Sequence, residues 1–503
     1  MATKLILGLL FFTTCISAVQ TLQFIGRSSI VEGPNTIGEA GKVWYAERIR
    51  NGQDIFLPAD RPPYYPPMHG LLVYGFVGLI GSILGLDVLQ LYYAGRAISI
   101  LCTMGAMVLS VQMLRRLNVG IGWQILCVTL LLSFYPILQH TGSYRPDNWL
   151  LFITIASGYL LMIPSNRLTL LVLPALPALA FLIKATGLTI GVSTLIYLTV
   201  RGRWREMIVY GAASAILLFS ILACLQWYSG GTYLVSFSKG LDVGYSVRHA
   251  LLLLAQPPVL LSIVVLLFSM KHAWPVNTTG QTGLLVIVIF YSVELICNFC
   301  FSMREGANIY YFISAYFFGV ILLARWLAVS IIYSSSDDFR KSMLLCMTVV
   351  FIQISYIAIY ARSASAPTEN AAVVKTKRYA DDRPVMARYV NEKNWRCYSD
   401  DAGLNVLLKH PVVIQPIHYQ IFVDSGAEAY PTIGSLVANE AIDVIVLTDI
   451  QWSYRGTMNV PKSLMTEIKT HYTQNDLVPG VEYRIFLIIS DFGEATCIRP
   501  MTP

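Results

Sequence analysis

Apolar residues gather along this chain into runs of about 17–25, the length that a hydrocarbon core of about 30 Å requires of a spanning helix. Such runs fall at 4–24, 88–114, 120–140, 148–164, 168–184, 186–200, 207–228, 250–270, 282–302, 308–330 and 342–361. Each predicts a membrane helix, with the two segments beside Lys184 short and either tilted or broken. The first run resembles a signal peptide, with Lys4 ahead of an apolar core. However, Ile16 stands where cleavage needs a small residue, and the apolar character continues through Phe24, so a retained first span is expected.

The run 68–86 is also long enough to cross, and the distribution of basic residues decides its reading. If it stays in the outer interface, Arg115, Arg116, Arg167, Arg201, Arg203, Arg205, Lys271, Arg325, Arg340 and Lys341 all fall on the same side as Lys4. If it crosses, all ten face outward. The expected topology therefore has about eleven spans, with the N-terminus inside and the C-terminus outside. It puts a long first loop (25–87), the turn His140–Asn148, loops near 229–249 and 303–308, and everything from Arg362 onward on the outer side. Asn277 begins a glycosylation sequon, but on the cytoplasmic side, where it is expected to go unused.

Composition agrees with this pattern. Charged residues make up 13% of the 503, against roughly 25% in soluble domains. Mean hydropathy is +0.59. A cytosolic enzyme, a disordered chain and an ordinary nucleic-acid binder are excluded. Residues 1–361 hold 22 Lys/Arg against 13 Asp/Glu, whereas 362–503 hold 14 against 16. The chain thus divides into a membrane body, 1–361, and a soluble unit, 362–503. In the latter, Asp381–Asn394 reads as helix, and Val412–Ile417, Ile442–Leu447 and Tyr483–Ile489 read as strands of a parallel-leaning α/β sheet. Seven of nine cysteines lie in or beside apolar runs; the Cys297/Cys300 pair lacks a second ligand pair for zinc. Cys397 and Cys497 could pair in an oxidising compartment.

Ionised groups near a bilayer are costly unless paired or functional. Glu32 follows the first span in a Gly-Pro turn, which favours a functional role. Glu39 opens an amphipathic stretch, Gly38–Gly52, with Val43, Trp44 and Ile49 on one side and Lys42, Glu47, Arg48 and Arg50 elsewhere. That stretch is expected to lie in the interface, with Glu39 as a helix-start acid or as a catalytic one. Arg145 and Asp147 either pair with each other or line a polar cavity. Lys184, Arg304 and Arg96 are each an interface anchor if alone, and together a site for an anionic lipid head group. Arg61–Pro67 is a stiff aromatic segment whose Tyr64 and Tyr65 suit a sugar or prenyl chain.

In this order and sidedness the residues resemble the GT-C superfamily of polytopic glycosyltransferases, in particular bacterial relatives of protein O-mannosyltransferases and aminoarabinose transferases. The matching features are Val31-Glu32-Gly33, Tyr45-Ala46-Glu47-Arg48-Ile49, Tyr65-Pro66-Pro67, Ala94-Gly95-Arg96 and Arg115-Arg116-Leu117. They continue with Tyr144-Arg145-Pro146-Asp147, Lys184, Gly306-Ala307-Asn308-Ile309-Tyr310-Tyr311 and, in the tail, Ser399–Leu404 with Pro411-Val412-Val413. Many relatives carry an Asp-Glu pair in the first loop, where this chain has Val31-Glu32, so either Glu32 or Glu39 takes the acid's place.

The resemblance implies a polytopic α-helical fold with an extracytoplasmic α/β domain in a bacterial inner or plasma membrane. It implies transfer of a sugar from a polyprenyl-phosphate donor to a glycan, lipid or protein acceptor, usually with inversion and in some relatives with a divalent ion. The carboxylates Glu32, Glu39 and Asp147 would serve catalysis, with Glu32 preferred as base. Arg145, Lys184, Arg304, Asn308, Tyr310, Tyr64 and Arg96 would bind the substrates. The competing reading is a transporter or flippase of lipid-linked sugars. Charges clustered at one surface and the lack of repeats weigh against it.

Overall fold

The computed structural model describes residues 2–29, 37–57, 70–134, 141–163, 171–234, 245–256, 280–304, 309–333, 371–413, 432–439, 441–447, 462–475 and 484–488, with isolated residues and pairs between them. Glu32, Tyr64, Asn308 and Cys497 lie outside the described residues, as do the run 342–361 for the most part and the segment 414–431.

The amino-terminal part is helical: α1 (Ala2–Ser29), α2 (Ile37–Arg50), α3 (Leu71–Leu84), α4 (Val88–Arg116), α5 (Ile121–Leu132), α6 (Pro146–Met162), α7 (Ala175–Ile183), α8 (Thr189–Val200), α9 (Trp204–Tyr228), α10 (Val247–Leu254), α11 (Gly280–Ser302) and α12 (Ile313–Tyr333). Val88–Arg116, Trp204–Tyr228, Thr282–Ser302 and Ile309–Val329 are each long and apolar enough to cross a membrane. The helix α3 has 14 residues, about 21 Å of rise against a core of about 30 Å. The expected break at Lys184 is present: α7 ends at Ile183, Lys184 is extended, and a 3-10 turn, Ala185–Leu188, precedes α8.

Helices are positioned by a few identifiable devices. Asp87 caps α4 in a reciprocal box with Gln90. Pro146 at the first position of α6 sets Arg145 in an extended conformation just outside the helix. α4 packs along α6, and α2 along α3. The α4–α6 approach is close: a Cβ on Gly95 would stand 2.4 Å from the Tyr144 ring. The amphipathic stretch forms α2, and its residues 39–46 are buried by protein rather than solvated. Its Glu39, Ala40, Val43, Tyr45 and Ala46 are fully buried and Lys42 nearly so, because α3 covers one side and a carboxy-terminal helix another.

That helix is α14 (Ala402–Leu407), between α13 (Ala371–Glu392) and the later α15 (Ile433–Ala438) and α16 (Lys462–His471). They surround a four-stranded sheet of β1 (Cys397–Ser399), β2 (Val444–Leu447), β6 (Arg484–Ile488) and β5 (Tyr472–Asn475), in that spatial order. The intervening β3 (Ser453–Tyr454) and β4 (Thr457–Met458) form a separate hairpin. Alternation divides the core: Cys397, Val444 and Val446 pack with Met386 and Val390 of α13, whereas Tyr398, Ile445 and Leu447 pack with Ile433, Leu436 and Ile468. The parallel-leaning sheet expected from sequence is corrected. β1–β2 is parallel, but β2–β6 and β6–β5 are antiparallel. β1 has three residues and β5 reads Tyr-Thr-Gln-Asn, so neither carries an apolar alternation. Within the expected strand Val412–Ile417, the Val412 amide donates to the Cys397 carbonyl at 2.8 Å, next to the isolated bridge of Cys397 with Pro411. Cys397 is buried and has no disulfide partner among the described residues, which do not include Cys497.

Candidate functional site

Two buried ion pairs meet where α2, α4, α6 and the α7–α8 junction converge. The Arg96 fork donates through Nε and Nη2 to the two oxygens of Glu39, at 3.1 and 3.0 Å, and both side chains are excluded from solvent. The Tyr144 amide donates to the same Glu39 oxygen that Nε reaches. Tyr144 is in turn fixed to α3 by its hydroxyl, which donates to the Val73 carbonyl at 2.6 Å. Both Glu39 oxygens are therefore engaged. This bidentate geometry is the strong form of a carboxylate–guanidinium pair.

The second pair is Lys184 Nζ to Asp147 Oδ1, at 2.7 Å. The Lys184 ammonium sits 4.0 Å from the Tyr311 ring centre and 5.2 Å from that of Tyr310; the Arg145 guanidinium lies 5.8 Å from the latter. The backbone at the junction is tight, since a Cβ on Gly187 would come within 2.7 Å of the Ala180 backbone. That approach keeps the 3-10 turn against α7 and so fixes where Lys184 emerges.

Lys42, one turn along α2 from Glu39, is buried within electrostatic reach of Arg145, Asp147, Glu39 and Lys184. Burial, then the repulsion of Arg145, pushes its ammonium down to about 7, against the pull of Asp147 and Glu39. Arg145 forms no ion pair with a carboxylate among the described residues, and its buried Nε has no hydrogen-bond partner there. The carboxy-terminal unit reaches the same region. Its Arg383 donates to Asp401 at 2.7 Å, both buried, and these charges act on Tyr92 together with Glu39 and Arg96. Beneath Lys184, a cavity of about 10 Å³ is lined by Asp147, Thr186, Glu294, Asn298, Tyr310, Tyr311 and Ser314. That volume suits one water molecule. Glu294 accepts from Thr189 Oγ1 at 2.5 Å and from Asn298 Nδ2 at 2.9 Å.

Of the residues expected from sequence, Asp147, Lys184, Arg145 and Tyr310 come together, and Glu39 and Arg96 meet as partners. Asp147 pairs with Lys184 rather than with Arg145, which lies against the Tyr310 ring. Arg304 sits in a β-bridge with Tyr245, on the loop that leads to Ile309–Phe312. Sequence reasoning missed Lys42, Tyr311 and Glu294. The sequence pattern puts Lys42 off the apolar side of the amphipathic stretch and gives no sign that it is buried. Glu294 carried a usable signal as the lone acid inside the run 282–302. Among the described residues no group of three His, Cys, Asp or Glu is placed to hold a metal ion. The two site carboxylates are committed to Arg96 and Lys184, so the described donors do not fit a divalent ion.

Several cations and two engaged acids thus gather where the ends of apolar helices meet. No family model matches this sequence, and no curated protein sequence does either. Solved structures do. The chain is similar to ArnT from Cupriavidus metallidurans in the apo state, with TM-score 0.57 and 12% identity over 94% of this chain and 97% of that one. It is likewise similar to the same protein bound to undecaprenyl phosphate, with TM-score 0.56 and 11% identity over 96% and 99%. A third similar structure is the oligosaccharyltransferase of Archaeoglobus fulgidus tethered with an acceptor peptide, with TM-score 0.51 and 10% identity over 87% of this chain and 68% of that one. These likenesses establish a shared fold and, with the apolar helices, an integral membrane protein.

Proposed function

We propose that this protein is a membrane glycosyltransferase that moves a sugar from a polyprenyl-phosphate donor to an acceptor hydroxyl on the extracytoplasmic face. The reading includes the eleven-span topology, the division at residue 361 and the outward placement of the carboxy-terminal α/β domain. The observation that carries it is Arg145: a guanidinium with no carboxylate bound among the described residues, beside Lys184, Lys42 and two tyrosine rings. Such a site, partly dry and already cationic, attracts an anion. Undecaprenyl phosphate is the ligand of one similar structure, and a donor of that class presents one phosphate at the membrane surface.

In the reaction the acceptor oxygen attacks the anomeric carbon as its proton passes to a carboxylate, and the bond from that carbon to the phosphate oxygen breaks. The electron pair leaves with the lipid phosphate. Arg145, Lys184 and Lys42 stabilise the charge gained by the phosphate. A single displacement inverts the anomeric centre, with the base opposite the leaving group. Glu39 already serves Arg96 and the Tyr144 amide, which suits it to holding the site rather than taking the proton. The base is assigned to Glu32, and Asp147 orients Lys184. Arg304, Asn308 and Tyr64 remain assigned to substrate binding. No step is routed through a metal.

The test is transfer by the purified full chain against a panel of prenyl-phosphate sugars. One donor is expected to be consumed, with release of prenyl phosphate. Arg145→Ala is expected to lower kcat/KM for it by about a hundredfold or more. Failure with every donor, while vesicles containing the protein move a lipid-linked sugar across the bilayer, overturns the reading in favour of transport.

A further inference from the structure

The helix α2 has a second functional face. Glu39, Lys42, Val43 and Ala46 look toward the ion-pair cluster, whereas Trp44, Glu47, Arg48 and Asn51, spaced i, i+3, i+4, i+7, form another stripe. That second stripe is one wall of a cleft of about 850 Å³, whose opposite wall is the end of α14 and the loop that follows it, Val406–Val412, in the carboxy-terminal unit. The volume is in the range of small-molecule sites.

The charges of the cleft are unbalanced. Its carboxylate among the lining residues, Glu47, accepts from Arg50 and from Asn51 Nδ2 through Oε1, while its Oε2 is buried without a partner among the described residues. Its Arg396 is bound by Asp443. The remaining cations are Arg48 and Lys409, with His410 beside them, and neither Arg48 nor Lys409 forms an ion pair among the described residues. Arg48 lies 5.1 Å over the Trp44 ring and donates its Nε to the Asp54 carbonyl at 2.6 Å. Asp54 itself accepts from the Phe56 amide with its carboxylate. These contacts hold the guanidinium plane in place and leave its terminal nitrogens without a protein acceptor among the described residues. Partial burial also lowers the affinity of Arg48 for its proton, with Asp54 pulling the other way.

We propose that this cleft is a second ligand site, separate from the Lys184 cluster, that binds an anionic group, phosphate or carboxylate, carried on a polar sugar-like molecule or on a lipid head group. Arg48 supplies the fork, Lys409 a point charge from the facing loop, and Trp44 with Asn51 and Gln53 a ring face and amides suited to a polyol. Because Arg48 and Lys409 come from opposite walls, binding also draws the loop toward α2.

The site is tested by binding, which does not depend on turnover and so is independent of the transferase reading. The purified full chain in detergent is titrated calorimetrically with a hexose phosphate and with the uncharged hexose. In parallel it is measured against bicelles of phosphatidylglycerol and of phosphatidylcholine. One anionic probe is expected to bind and its neutral counterpart not, and which one binds identifies the source of the anion. Arg48→Gln and Lys409→Gln are each expected to weaken that binding by about tenfold, in keeping with the loss of one charge-assisted contact, and Lys409→Glu more. Lys409 is exposed, so its variants fold even where Arg48→Gln does not. Arg145→Ala should leave this binding event in place. Equal binding of charged and neutral probes, or binding unchanged in both Lys409 variants, overturns the proposal.

Discussion

Lys42 illustrates how burial converts a common side chain into a pH-dependent one. Its charged form faces Arg145 and Asp147 from α6, Glu39 from its own helix and Lys184 from the α7–α8 junction. With burial the leading cause, its pKa falls from 10.5 to about 7. The sign follows directly. Below pH 7 both the folded and unfolded chain carry the proton, and the full cost of burying the charge is present. Between pH 7 and the unfolded value only the unfolded chain keeps the proton, so stability rises with pH. Anion binding runs the other way, because the ammonium attracts phosphate only while charged. The kcat/KM for donor, which reports the free enzyme, is expected to fall as pH rises through about 7. Lys42→Met should flatten that limb and lower the acid-side value. A pH profile in Lys42→Met identical to that of the parent would assign the limb to another group. Glu294 teaches a related lesson: one acid in an apolar run is a legible signal, whereas a lysine on a short amphipathic helix is not. Sequence places Lys42 on a polar stripe, and only tertiary packing decides that the stripe faces inward.

At the scale of elements, the site depends on how closely helices approach. Gly95 on α4 leaves room for the Tyr144 ring, and Tyr144 delivers its amide to Glu39 and its hydroxyl to α3. Ser99, one turn further along α4, is reached by the Arg145 amide at 3.4 Å and by Trp149 Nε1 at 3.3 Å. The start of α6 is thus stitched to α4 at several points. Gly95→Ala would set a methyl 2.4 Å from a ring held at both ends, so relief requires α4 and α6 to separate. A loss of about 1–3 kcal/mol is expected from such overpacking, read as a lower thermal-inactivation midpoint in detergent, with transfer reduced further as Glu39 loses the amide. Gly75→Ala on α3 is the matched control, because nothing lies within 4 Å of its would-be Cβ; it is expected to be neutral or mildly stabilising. Equal effects of the two substitutions would show that the close approach is unimportant. Two helices, α4 and α11, were readable from apolar run length to within two residues of their described ends, because the bilayer imposes that length, whereas the run 120–140 is described as helix only over Ile121–Leu132. The sheet was less readable. β1 and β5 are too short and too polar for an alternation to register, and their pairing is set by α13 and α16 packing on the two faces.

The whole molecule is organised by one dimension, the thickness of the bilayer. Along α4, Arg96 in the ion-pair cluster and Arg115 near the far end are separated by about 29 Å of helix rise, close to one hydrocarbon core. α6 repeats the arrangement, beginning at Asp147 in the cluster and ending at Met162, whose carbonyl accepts from Arg116. Arg201 and Arg203 occupy the turn between α8 and α9, Arg205 lies in the first turn of α9, and α8 leads back to Lys184 through the 3-10 turn. Two polar layers thus lie about one hydrocarbon core apart along the helices: one of arginines at the far ends, and one holding the buried ion pairs, where α14 packs on α2. The proposed topology, with its basic loops cytoplasmic, puts the cluster and the carboxy-terminal sheet on the outer side. This can be read in intact cells or right-side-out vesicles with a membrane-impermeant thiol reagent. Lys393→Cys, exposed at the end of α13, is expected to react above the background of the nine native cysteines. Arg201→Cys, exposed in the α8–α9 turn, is expected to react only after the membrane is permeabilised. The reverse pattern would turn the molecule over, place the anion-attracting cluster in the cytosol and leave a lipid-phosphate donor on the outer leaflet out of its reach.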